Sequence, residues 1–155
     1  MIKIIFLCEG NICRSPTAEV IFKSLLKEKN CIDNFEVISR GTLLRTEGRD
    51  IYPPMKELLD KDHFTYPAHS AKIINITDFK TADYIIGMEE YNLVSLKRTI
   101  FIRDYSKLHL LLDYSSSPKD IEDPYASRDF EKAYKDIKSG CQDLLSYFVT
   151  NNLIK

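Results

Sequence analysis

The stretch Cys8-Glu9-Gly10-Asn11-Ile12-Cys13-Arg14-Ser15-Pro16 places a thiol, an arginine and a hydroxyl on one short loop. It follows a continuous apolar run, residues 2–8 (IKIIFLC), and leads into a helical pattern beginning at Pro16. A loop in that position turns backbone N–H groups and a helix N-terminus toward whatever binds there, which favours a tetrahedral oxyanion. Gly10 and Asn11 are residue types that reach left-handed backbone angles, so successive amides can curl inward. Arg14 adds a planar fork of donors matched to two oxygens of a phosphate. A thiol in such a field is favoured as its thiolate, and Ser15 is placed to hydrogen-bond the sulfur. The spacing Cys8-x5-Arg14-Ser15 therefore supplies a nucleophile, an anion cradle and a clamp for the transition state.

Displacing a phosphate ester onto sulfur leaves an alkoxide or phenoxide that needs a proton. Far along the chain, "IEDPYASRDF" (residues 121–130) puts Asp123 on a loop before the last helix, held extended or in a turn by Pro124. A carboxyl there can protonate the leaving oxygen and later deprotonate an attacking water. Tyr125 offers one wall for a flat substrate ring. Blander readings fit the same letters. Cys8 and Cys13 can be buried small hydrophobes with Arg14 a surface charge, and Asp123-Pro124 an exposed turn beside a core tyrosine. Zinc binding fits poorly, because Cys31 and Cys141 are isolated and His63, His69 and His109 are scattered. A Walker-type loop fails, because no Gly-Lys-Ser/Thr follows Gly10.

These groups need elements to position them, and 155 residues with 44% apolar and 29% charged side chains suit one domain (residues 1–155) with a proper core. The formal net charge of -1 points to neither nucleic acid nor an anionic membrane. No apolar run approaches a spanning helix, so no membrane insertion is expected. The opening MIKIIFLC is too short, and too soon interrupted by Glu9, to read as a secretory signal. Four unevenly spaced cysteines suit a reducing cytoplasm, which makes the Asn75-Ile76-Thr77 sequon chance. Strands are expected at residues 2–8, 35–39, 84–88 and 108–112. Helices are expected from Pro16, from Met55 to before Pro67, near residues 89–97, and over Phe130–Phe148 with Ser127 as cap. Residues 41–54 read as a loop. Strands alternating with helices imply a parallel sheet covered on both faces.

Together, C-E-G-N-I-C-R-S-P and the later D-P-Y resemble the low-molecular-weight protein tyrosine phosphatase family, over nearly the whole chain. The resemblance implies an α/β three-layer sandwich: a four-stranded parallel sheet of order 2-1-3-4 flanked by helices. It implies phosphotyrosine hydrolysis through a cysteinyl-phosphate, without metal or other cofactor. Carried over, Cys8 is the nucleophile, Arg14 the clamp and Asp123 the acid and then the base. Glu9, Gly10, Asn11, Ile12, Cys13 and Ser15 form the phosphate-binding loop, with Tyr125 against the substrate. Ser39 of "ISRGT" matches the serine that supports the asparagine. His69 of "AHSAK" falls where many members brace the loop with a histidine, a plain solvated histidine being the alternative. Cys13 matches a second loop cysteine able to trap an oxidised nucleophile as a disulfide, though an inert packed cysteine would read the same. Implied partners are a phosphotyrosine protein, including an autophosphorylating bacterial tyrosine kinase in polysaccharide export, and inorganic phosphate or oxyanion inhibitors.

The departures from the family pattern concern specificity. Glu9 adds a rim charge that disfavours very acidic substrates. Arg45, beside Leu44, stands where relatives carry an aromatic wall, and Ala126 replaces a second tyrosine, so a more open, less aromatic cleft is expected. Arg40 replaces the commoner alanine between Ser39 and Gly41 and is expected to disturb the surroundings of Ser39. A phosphoarginine phosphatase on this scaffold is the nearest rival. Members of that kind carry a small threonine where Ile12 stands, and phenylalanine in place of Tyr125. An arsenate reductase needs further cysteines mid-chain, and residues 80–100 have none. A binding module without turnover would have no use for both Cys8 and Asp123.

Overall fold

The structure is a computed structural model that describes residues 1–43, 45–101 and 104–154. Four parallel strands, β1 (Ile2–Cys8), β2 (Phe35–Gly41), β3 (Tyr84–Gly87) and β4 (Leu108–Leu110), lie in the order β2-β1-β3-β4. Around them run α1 (Arg14–Glu28), α2 (Pro53–Lys61), α3 (Ile76–Thr81), α4 (Glu90–Thr99), α5 (Pro124–Ser127) and α6 (Phe130–Thr150).

Successive side chains of a strand point to opposite faces, and β1 shows what that does. Ile4, Phe6 and Cys8 enter one core with Phe22 and Leu26 of α1 and Ile137, Leu144 and Phe148 of α6. Ile5 and Leu7 enter the other, with Phe79 of α3, Ile85 of β3 and Leu96 of α4. A strand covered on both faces reads as an unbroken apolar run, and this one does. The same alternation aims Cys8 toward the α1 face at the strand's carboxyl end. Among the described residues, no helix is long and apolar enough to cross a membrane.

Several boundaries differ from the sequence expectation. The strand expected at 35–39 extends to Gly41, because Ser39, Arg40 and Gly41 stay in register with Phe6, Leu7 and Cys8. The strand expected over 108–112 stops at Leu110. Leu111 and Leu112 turn into a short 3-10 segment and bury their side chains against α6 instead. The helix expected from Pro16 begins at Arg14, and the one expected from Met55 begins at Pro53, with prolines in the first turn where no N–H is missed. Asn75 is no idle sequon. Its side chain accepts from the Asp78 N–H at 2.8 Å and caps α3, which the sequence reading lacks. Ser127 does not cap α6; Asp129 does, accepting from the Lys132 N–H at 3.1 Å.

Gly140 in α6 tests this packing. A Cβ there would lie 2.8 Å from Leu111 Cγ and 3.0 Å from Leu112 Cδ2. Alanine gains about 0.5–1 kcal/mol in helix propensity, but overpacking a full core costs about 1–3 kcal/mol. Gly140→Ala is therefore expected to lower stability in urea unfolding by about 1–2 kcal/mol; a stability gain would show that the helix and the Leu111 segment separate easily.

Candidate active site

The carboxyl ends of β1, β2 and β3 share one edge of the sheet, and a cleft of about 580 Å³ opens there. Cys8 lines it while being only 2% exposed, so the thiol sits low in the cleft without being sealed off. Glu9, Gly10, Ile12, Cys13, Arg14, Asp123 and Tyr125 line it too, which brings most of the expected residues together. Asn11 and Ser15 do not. They lie buried behind the loop and act on it from there.

Asn11 makes the turn. Its φ of 54° is left-handed, while Gly10 does not share that conformation. Gly10 serves by its lack of bulk, since a Cβ would sit 3.2 Å from Thr46 Oγ1, whose hydroxyl donates to the Gly10 carbonyl at 2.6 Å. The turn points the Asn11 N–H at Cys8 Sγ, 3.3 Å away. The Asn11 side chain accepts from the Lys72 N–H at 3.0 Å, so its oxygen must face that way. Its Nδ2 then donates to Ser15 Oγ at 2.8 Å and Ser39 Oγ at 3.0 Å. With a lone pair so occupied, the Ser15 hydroxyl is free to donate to Cys8 Sγ at 2.9 Å. His69 Nε2 lies 2.6 Å from the Asn11 carbonyl. A carbonyl only accepts, so that nitrogen carries the proton, and His69 is a brace rather than a solvated loop residue.

Arg14 is 1% exposed, which removes the reading of it as a surface charge. Its Nη1 donates to the Ile121 carbonyl at 2.9 Å and pairs with Glu89 Oε1 at 3.0 Å. Its Nη2 stands 3.7 Å from Asp123 Oδ2. Burial alone would disfavour the guanidinium charge, but the negative fields of Cys8, Glu89 and Asp123 outweigh it and raise Arg14 above its ordinary value. Cys13 goes the same way for other reasons. Burial and then the neighbouring Cys8 charge push its thiol well up, so it stays protonated. Asp123 spends Oδ1 on capping α5 through the Tyr125 N–H at 3.0 Å, leaving Oδ2 toward Arg14.

Arg40 does not disturb Ser39. Its Nη1 donates to the Ser39 carbonyl at 2.9 Å, and its Nε pairs with Asp78 Oδ2 at 3.0 Å, tying β2 to the start of α3. The cleft carries a second aromatic side chain besides Tyr125. Tyr52 lines it and meets Tyr125 edge to face, ring centroids 5.8 Å apart. Tyr125 is 61% exposed, at the mouth. Arg45 lines the cleft, Ala126 does not, and Leu44 lies outside the described residues. Among the described residues no cluster of His, Cys, Asp or Glu is arranged to hold a metal ion.

Glu89, Tyr52, Gly41, Thr46 and Arg49 escaped the sequence reading. For Glu89 a signal existed, because it stands at the carboxyl end of a strand, where α/β sheets gather their ligands. For Tyr52 there was none, since its place depends on its N–H donating to the Ile12 carbonyl at 2.7 Å.

A family model described as low molecular weight phosphotyrosine protein phosphatase matches residues 3–153. The low molecular weight protein-tyrosine-phosphatase YfkJ of Bacillus subtilis is 34% identical over 148 residues, 94% of this chain and 95% of its own. The crystal structure of YfkJ superposes with a TM-score of 0.93 at 32% identity, covering 97% of this chain and 96% of that one. The low molecular weight protein-tyrosine-phosphatase PtpA of Staphylococcus aureus is 34% identical over 158 residues, 100% of this chain and 99% of its own. The crystal structure of a Drosophila arginine phosphatase matches with a TM-score of 0.85 at 30% identity, covering 95% and 98%.

Two outcomes follow from the site's geometry. Burial raises the thiols of Cys13, Cys31 and Cys141, which keeps them protonated and slow toward iodoacetamide in the folded protein. Mass spectrometry after brief labelling of the folded protein at neutral pH is expected to find Cys8, whose sulfur lines the cleft, modified ahead of the other three. Labelling spread evenly over the four cysteines would contradict the arrangement. Gly41 backs onto the loop, and a Cβ there would lie 2.8 Å from the Glu9 carbonyl, which Thr42 and Leu43 N–H groups hold at 2.8 and 2.9 Å. Gly41→Ala is therefore expected to displace the loop and lower kcat/KM for an aryl phosphate by about tenfold or more, in proportion to about 1–3 kcal/mol of strain.

Proposed function

The chain belongs to the low molecular weight phosphotyrosine protein phosphatase family, and we propose that it hydrolyses phosphotyrosine in proteins through a cysteinyl-phosphate formed on Cys8. One observation carries the reading. A sulfur that receives the Asn11 N–H and the Ser15 hydroxyl lies low in a cleft that also holds Arg14 and the Asp123 carboxyl.

In the first step the Cys8 thiolate attacks phosphorus, the bond to the tyrosyl oxygen breaks, and the proton of Asp123 passes to that oxygen. Loop N–H groups and Arg14 hold the equatorial oxygens, where charge must be stabilised as the group transfers. In the second step the Asp123 carboxylate takes a proton from water as that water attacks phosphorus. Cys8 departs as a thiolate and phosphate leaves. Asp123 thus returns to its starting form, and no redox or external co-reactant enters.

Two features favour phosphotyrosine. A phenyl ring carries its phosphate further from the peptide backbone than a seryl methylene does, which suits a nucleophile set this low. Tyr52 and Tyr125 offer aromatic faces at which that ring can pack. The likeness to an arginine phosphatase supports a second reading, in which the Glu9 carboxylate meets a guanidinium. The apolar side chain of Ile12, which lines the cleft, offers that guanidinium no acceptor but can pack against an aromatic ring. The physiological substrate we propose is a phosphotyrosine protein, with an autophosphorylating tyrosine kinase as the natural counterpart.

Cys8→Ser is expected to abolish turnover while leaving phosphate or vanadate binding measurable by calorimetry. Asp123→Ala is expected to slow phenyl phosphates with poor leaving groups about 10²- to 10³-fold, the usual worth of a general acid, and p-nitrophenyl phosphate far less. Equal slowing across leaving groups would remove Asp123 from that role. Phosphotyrosine and phosphoarginine peptides assayed side by side decide between the two substrates, phosphotyrosine being expected to lead.

A further inference from the structure

The charges around the cleft raise a difficulty for any phosphorylated substrate. Among the described residues Arg14 is the buried cation, and Glu89 already matches it at 3.0 Å. Glu9 lines the cleft as well, and the proposed mechanism adds the thiolate of Cys8. A dianionic phosphate thus approaches an interior whose acidic groups outnumber its single cation, and something at the entrance has to draw it in.

Arg45 and Arg49 are that something. Both line the cleft, both are exposed, and among the described residues neither enters an ion pair. Asp50, next in sequence to Arg49, is held by Lys56 at 2.8 Å and is not available to neutralise it. The segment that carries them is fixed to the phosphate-binding loop. Thr46 donates to the Gly10 carbonyl at 2.6 Å, and Gly48 and Arg49 exchange 2.8 Å backbone hydrogen bonds with Ala71. The backbone that carries these two guanidinium groups, unpaired among the described residues, is therefore tied beside the phosphate-binding loop, at the mouth that residues flanking a phosphotyrosine approach.

We propose that Arg45 and Arg49 bind carboxylates flanking the phosphotyrosine, making acidic phosphopeptides the preferred substrate class. The inference rests on the phosphatase reading given above. It also reverses the expectation drawn from Glu9 alone, since two cations line the cleft along with Glu9, while Glu47, between them in sequence, does not line it. Each exposed guanidinium–carboxylate contact is worth roughly a two- to fivefold change in binding, and Arg adds directional hydrogen bonds that Lys does not.

The test compares two phosphotyrosine peptides of one length, one flanked by Asp and Glu, the other by Asn and Gln at the same positions. At about 20 mM ionic strength, kcat/KM is expected to favour the acidic peptide by about five- to tenfold, and at about 0.5 M salt the preference is expected to shrink as the charges are screened. Arg45→Gln with Arg49→Gln should bring the ratio to one or below, where Glu9 repels unopposed. Arg45→Lys with Arg49→Lys should keep most of it, and Glu9→Gln should raise it. A wild-type ratio near one, or a ratio unchanged in the double glutamine variant, overturns the rim inference while leaving phosphotyrosine hydrolysis standing. Turnover of neither peptide overturns that reading and the inference with it.

Discussion

The orientation of one buried side-chain amide sets the rest of the site. Asn11 Oδ1 faces the Lys72 N–H, and that contact has no alternative, because a backbone N–H can only donate. Turned the other way, the amide would present a donor to that donor and leave Ser15 and Ser39 without the Nδ2 they share. In a site this buried, each polar group left unpaired costs about 1–3 kcal/mol. The orientation therefore makes Ser15 Oγ an acceptor on the Asn11 side, which leaves its proton for Cys8 Sγ at 2.9 Å or, at the longer distance of 3.4 Å, the Arg40 carbonyl. The left-handed backbone of Asn11 belongs to the same constraint, since it aims the N–H at sulfur and the carbonyl at His69. Asparagine is among the few side chains that both tolerate that angle and carry a donor and an acceptor.

What holds Lys72 in place is remote from the chemistry. The Gly41 N–H donates to the Lys72 carbonyl, and the Ile74 N–H donates back to the Gly41 carbonyl. Asn75 and Asp78 cap α3 just beyond, and Arg40 pins Asp78 from β2. Arg40 stands between Ser39 and Gly41, so one strand end supplies a hydroxyl to the amide, a clearance for the loop, and an anchor for the brace. The arginine that looked like a disturbance in the sequence is the outer tie of this arrangement.

The parts legible in the sequence were those whose meaning is local. The run IKIIFLC announced a strand covered on both faces, and Cys8-x5-Arg14-Ser15 announced a loop feeding a helix. Asp123 before Pro124 was legible as a special carboxyl, though not as the cap of a one-turn helix, because four residues are too few for a periodic pattern. LHLLL misled because apolar side chains bury equally well under a helix and in a sheet, and Leu111 and Leu112 take the first course. Glu89 carried only a positional signal, at the carboxyl end of a strand, and Tyr52 carried none. Nothing near either in sequence refers to residues 12 and 14; the chain's return to the same sheet edge brings them there.

The parallel crossovers also explain why Arg14 can be both buried and useful. From β1 the chain goes to one neighbour, β2, and returns past it to the other, β3, which leaves a crevice beyond the strand ends where the direction changes. Cys8 flanks it from β1 and Glu89 from the turn after β3, and Arg14 spans between. An unpaired guanidinium so buried would destabilise the fold by several kcal/mol, so Glu89 and the Ile121 carbonyl, which take Nη1, are needed to keep it there. The contact of Nη2 with Asp123 is the longest of the set, at 3.7 Å, and so the easiest to exchange. The two terminal nitrogens of one side chain are thus held unequally, Nη1 firmly and Nη2 loosely, and in the proposed mechanism it is the loosely held Nη2 that turns to the phosphate.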